Sequence, residues 1–178
     1  MTSMLRSAPV LAGLLLPAAL PAAAQGVPVK ELVVAAAPSA AQRTGEEKAA
    51  RAFYDFWNTG DEAVLRAALS PAFTDHTLPP GRPQGAEGPA FASRNFRGAV
   101  PDLRVSVEKM IIAGDYVTVH MHFTGHFTGR MGDAAGQGQP IDFIATDLIR
   151  VTDGLVTDNW HIEDNLTLLQ QMGLVPKP

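Results

Sequence analysis

Asp147, Asn159, His161 and Glu163 are the residues of this chain whose types and spacing could do acid–base chemistry. Alternation over residues 141–151 puts Phe143, Ala145, Ile149 and Val151 on one face, with Asp147 in its middle. A carboxylate buried there needs a partner, because burying an unpaired ion is costly. The Asp153-Gly154 turn decides which one. A two-residue Asp-Gly loop pairs Thr152 with Leu155, sets Asp147 opposite Trp160 and sends His161 to the other side of the sheet. A three-residue loop, Thr152-Asp153-Gly154, ends in a bulge at a left-handed Gly154 and pairs Val151 with Leu155, Asp147 with Asn159 and Ala145 with His161. The second register is favoured, because it gathers Asp147, Asn159, His161 and Glu163 on one face and leaves Leu148, Trp160 and Ile162 on the other. Asp147 and His161 are then diagonal neighbours. As a pair, Asp147 would orient the imidazole and His161 would exchange a proton with substrate. The same contact also reads as a structural hydrogen bond inside a barrel.

Asp75-His76 stands where the chain enters a Pro- and Gly-rich loop, residues 78–88, and is expected at a pocket rim, in substrate contact or in an Asx-type turn. His120, His122 and His126 form H-x-H-x-x-x-H, and a period of two puts His120 and His122 on one strand face, where both could ligate zinc or copper. The motif carries no carboxylate, so an exposed face is the preferred reading and no metal or other cofactor is expected. Phe53, Phe56, Trp57 and Phe91 read first as core, and in a fold with a cavity Trp57 would also touch a ligand.

These residues must be positioned by a chain of 178 residues with formal charge -4 and no cysteine. There is thus no disulfide framework and no thiol nucleophile, and His and carboxylates are left as the reactive groups. No Lys/Arg cluster interleaves with aromatics, so a nucleic-acid partner is not expected. Residues 1–24 read as a secretory signal: Arg6 is the sole charge, an apolar run follows from Val10 to Leu20, and Ala22-Ala23-Ala24 offers a cleavage site before Gln25. Pro17 and Pro21 interrupt the run, which falls short of the ~20 residues of a span, so a periplasmic or secreted product without a membrane anchor is expected.

Residues 25–43 read as a linker. Structure is expected from Thr44, whose spacing to Glu47 suits a capping box, with a helix to Gly60, a second short helix from Asp61 and a third from Pro89 to about Gly98. A period of two then begins at Leu103, and strands follow through Val117–Phe123, from Ile141 and from Leu155, with a loop over residues 130–140. Helices followed by four long antiparallel strands imply α+β, a curved antiparallel sheet wrapped around the N-terminal helices.

The segments FYDFWNTGD (residues 53–61), PAFTDH (71–76), VPDLRVSVE (100–108), IDFIATDLIRVTDGLVTDNW (141–160) and LLQQMG (168–173) carry a resemblance to the SnoaL-like polyketide cyclases. That family lies within the nuclear-transport-factor-2-like, or cystatin-like, α+β barrel group, and the resemblance spans residues 44–176. It implies a conical pocket, cofactor-independent acid/base chemistry of cyclase, isomerase or hydrolase type on a small apolar carbonyl compound, and it admits a homodimer. The family's catalytic Asp position falls on His161 and its His position on Asp147, so the two types stand exchanged. A substrate-contacting Asn of the cyclases corresponds to Asp75. The resemblance thus implies His161 and Asp147 as catalytic pair, with Asp75, His76, Asn159 and Trp57 as substrate contacts. A non-catalytic periplasmic carrier of a hydrophobic small molecule is the alternative.

Overall fold

In the computed structural model, which describes residues 29–176, Ser39 rather than Thr44 begins the first helix, α1 (Ala40–Thr59). The Ser39 hydroxyl accepts the Gln42 N–H at 3.2 Å, and Thr44 instead donates its side chain to the Ala40 carbonyl. The proposed signal, residues 1–24, and the first residues of the linker lie outside the described residues. α1 buries Ala49, Ala50, Phe53, Tyr54 and Phe56 and ends at Gly60 in the left-handed conformation. Phe53 and Phe56 are 1% and 0% exposed, and each contributes roughly 1.5–3 kcal/mol by leaving water.

Asp61 caps α2 (Glu62–Ala68) by accepting the Ala63 N–H. The chain passes directly into β1 (Leu69–Asp75), so Ser70-Pro71 lies within a strand; an edge strand tolerates the proline. α3 (Glu87–Ala99) follows the Pro/Gly loop. The strands β2 (Arg104–Ala113), β3 (Tyr116–Phe127), β6 (Gln139–Thr152) and β7 (Leu155–Glu163) are the four antiparallel strands expected. Within the expected loop, β4 (Arg130–Met131) and β5 (Ala134–Ala135) form a small hairpin. α4 (Asn165–Gln171) closes the described chain.

The main sheet runs β1-β7-β6-β3-β2, with β1 parallel to β7 at one edge. Strict alternation of buried and open positions along β3 and β6 puts Val117, Val119, Met121, Phe143, Ala145, Asp147 and Ile149 on the inner face, against α1. The fold is the expected α+β sheet wrapped around helices.

The turn differs from the favoured register. Thr152 pairs with Leu155 across a two-residue Asp153-Gly154 turn, with φ of 52° and 76°. Both residues are left-handed, as a type I′ turn requires. Val151 then opposes Val156 but Arg150 opposes Asp158, so Thr157 is an extra residue bulged out of β7. The bulge shifts the ladder by one and sets Asp147 opposite His161 instead of Trp160. The bulge that was expected in the loop sits one step into the strand. Asp147 and His161 do share a face, as direct rather than diagonal neighbours.

Candidate active site

Inside the sheet is a cavity of about 350 Å³, walled by Phe53, Trp57, Phe73, Phe91, Phe96, Phe123 and Phe143. Its polar lining includes Asp75, Asp147, Asn159, His161 and Glu163, with Arg82, Asn95 and Asn165 also on the wall. β6 contributes Asp147; the bulged β7 contributes Asn159, His161 and Glu163; β1 contributes Asp75, which pairs with Asn159 in parallel register. Trp57 is held edge-on to Phe123 at 5.9 Å.

His161 is the centre of the polar network. Its Nδ1–H donates to Glu163 Oε1 at 2.7 Å, and Nε2–H is shared between the two oxygens of Asp75 at 3.1 and 3.2 Å. Its side chain is 6% exposed. Burial disfavours the charged imidazole, but Glu163 and then Asp75 outweigh it and push its pKa up to about 9. The imidazolium is therefore the resident form at neutral pH. Glu163 is subject to burial in the opposite direction, yet His161 holds its carboxyl below the usual range.

Asp147 is not the imidazole's orienter, which corrects the pairing expected from sequence. Both ring nitrogens of His161 are occupied by Asp75 and Glu163, while Asp147 Oδ2 accepts the Tyr54 hydroxyl at 3.2 Å. Asp147 is 7% exposed, and burial dominates its titration: desolvation raises the pKa to about 7, against the lowering field of His161 and the hydrogen bonds of Tyr54 and Asn159. Burial, reinforced by Asp147, pushes the Tyr54 phenol well above its ordinary value, so it stays a donor. Asn159 is buried, and its Oδ1 has no partner among the described residues.

Asp75, Asn159 and Trp57 are in the cavity wall. His76 is not. It stacks on Trp160 at 4.2 Å between ring centres and meets Asp158 through Nε2 at 2.7 Å, on the far side of the sheet. Side chains alternate along a strand, so the neighbour of inward Asp75 must point out. His120, His122 and His126 each hold a separate partner, Thr146, Asp142 and Asp102 respectively. Among the described residues no group of three or more His, Cys, Asp or Glu side chains is placed to hold a metal. Tyr54 and Arg82 were missed as site residues. Tyr54 stands next to Phe53 in the helical stripe, and a polar tip on a core helix was the available signal.

The arrangement resembles known proteins. The family model of the SnoaL-like polyketide cyclases matches residues 47–172. A protein from Bacillus cereus ATCC 10987, provisionally named a polyketide cyclase, is 42% identical, with 83% of this chain and 97% of that chain covered and a TM-score of 0.70. TsrD from Streptomyces laurentii is 26% identical, covering 75% of this chain and 98% of its own at a TM-score of 0.67. IdmH from Streptomyces antibioticus, likewise provisionally named a polyketide cyclase, is 26% identical over 72% of this chain and 98% of its own, with a TM-score of 0.65. No curated protein matches the sequence.

Proposed function

The chain belongs to the SnoaL-like polyketide cyclase family, and from that premise we propose that it catalyses cofactor-independent proton transfer next to a carbonyl in a small, largely apolar compound, leading to ring closure or isomerisation. The observation that carries this reading is Asp147, a carboxyl group on the wall of an aromatic cavity whose pKa burial moves to about 7. A general base poised near the working pH exchanges protons most efficiently.

The roles then exchange relative to the His161 base expected from sequence. An imidazolium with both N–H bonds committed has no lone pair to offer, so Asp147 is the base and His161 a fixed positive charge beside it. Asp147 removes a proton from the carbon next to the carbonyl; the C–H electron pair passes to an enolate, whose negative charge develops in the field of His161. In a ring closure the enolate carbon attacks a second carbonyl, and the resulting alkoxide takes the proton back from Asp147. Asn159 Oδ1, unpartnered and buried, suits a substrate O–H. Tyr54 holds Asp147 in place. Action outside the cytoplasm, resting on residues 1–24, is part of the proposal.

Deuterium incorporation tests it without knowledge of the natural substrate. A panel of aryl ketones such as α-tetralone in D₂O should exchange its α-protons faster with the protein than in buffer, and Asp147→Asn should remove the acceleration. Binding without acceleration across the panel would make the cavity a carrier's and reject the catalytic reading.

A further inference from the structure

Arg82 lines the cavity from the loop between β1 and α3, beside Pro79, Pro89 and Phe91. Most other arginines among the described residues are committed: Arg51, Arg66, Arg94 and Arg150 to carboxylates, Arg97, Arg104 and Arg130 to backbone carbonyls. The Arg82 guanidinium has no ion pair and no hydrogen bond among the described residues; its one bond is from the backbone, N–H to the Pro79 carbonyl at 3.1 Å. It is close enough to lower Glu163 through its field, but Glu163 Oε1 is already taken by His161.

The loop that bears this side chain is tied to β1 through Gln84. Gln84 Oε1 accepts the N–H of Asp75 at 2.7 Å and of Gly85 at 2.9 Å, and its Nε2 donates to the Asp75 carbonyl at 2.9 Å. Asp75 thus anchors both His161 and the loop bearing Arg82. The Arg82 stem passes over Gly88, where an added Cβ would lie 3.7 Å from Cγ and Cδ and 2.5 Å from the Pro83 carbonyl. A side chain at that position would collide with the Pro83 carbonyl and displace the loop.

Asp75 and Glu163 are both engaged by His161, which leaves Arg82 as a cation of the wall with no carboxylate paired to it among the described residues. A planar guanidinium with its donors unspent matches a carboxylate in two parallel hydrogen bonds. We propose, resting on the reading of this cavity as the acid/base site, that Arg82 is a specificity-determining residue that binds a carboxylate of the substrate. The substrate class is then an aromatic keto acid and not its neutral ester.

Isothermal titration with 2-naphthoate and methyl 2-naphthoate, on the wild type, Arg82→Gln and Arg82→Lys, decides the matter. The wild type should bind the acid about 10-fold or more tighter than the ester, as expected for a charge-assisted pair. Arg82→Gln should lose that preference while its ester affinity stays within about twofold, the lysine variant retaining part of the preference. Equal binding of acid and ester by the wild type, or a preference that survives in Arg82→Gln, overturns the inference and leaves the acid/base reading standing. Failure of the wild type to bind either compound also overturns the inference, while the acid/base reading is decided by the exchange measurement.

Discussion

Asp147 titrates at about 7 and His161 at about 9, and the reaction requires the first ionised and the second protonated. The activity profile should therefore be a bell, rising through about 7 and falling through about 9, which a pH–rate series on the exchange reaction checks. Glu163→Gln removes the strongest support of the imidazolium, so the alkaline limb should move down toward neutrality while the acid limb moves less. Asp147→Asn should lower turnover by about 10²–10⁴-fold. Its effect on stability has the opposite sign. The folded pKa of Asp147 lies above the unfolded value, so its burial costs nothing below the unfolded pKa and costs progressively more as pH rises to about 7. The amide escapes that cost, and Tyr54 can still donate to it. Thermal midpoints of the variant should exceed the wild type at pH 8 and converge with it near pH 4. His161 acts likewise: its raised pKa stabilises the fold fully below the unfolded value, and this is lost as pH rises through about 9.

The site depends on the number of residues between the Asp153-Gly154 turn and His161, and the bulge at Thr157 absorbs the odd one. Deleting Thr157 should give a regular ladder with Asp147 still opposite His161, and exchange activity should persist; deleting Thr157 and Asp158 together should set Asp147 opposite Ile162, turn His161 out of the cavity and abolish exchange while the far-ultraviolet dichroism of the sheet persists. Most of the elements were legible, because period two in β3 and β6 and helical spacing in α1 are long, strong patterns. The shared face of Asp147 and His161 was legible too, though by a register that the molecule does not use. A bulge is a tertiary compromise that no local propensity marks, and Asp153-Gly154 suits both turns. The true partners of His161 were not legible, since Asp75 arrives from 86 residues away on a strand that pairs in parallel at the edge. Asp153, at φ 52°, is the non-glycine residue that the tight turn strains. Replacing it with valine should cost roughly 1–2 kcal/mol in denaturant unfolding, whereas asparagine should be near neutral.

At the scale of the molecule, the helices and the sheet enclose one aromatic cavity and leave a second, solvent-facing surface on the far side of the same strands. If residues 1–24 direct export, the exported form should begin at or near Gln25, and N-terminal sequencing that returned Met1 would reject it. The chain has two tryptophans, and the sheet lies between them: Trp57 faces the cavity and Trp160 stacks flat on His76 outside it, with 6° between the rings. An imidazole stacked on an indole quenches its emission, so Trp160 should brighten in His76→Ala. Trp57 answers to what fills the cavity. A Trp160→Phe chain therefore carries a single emitter inside the site, and its spectrum would register occupancy by any compound before the reaction it undergoes is known.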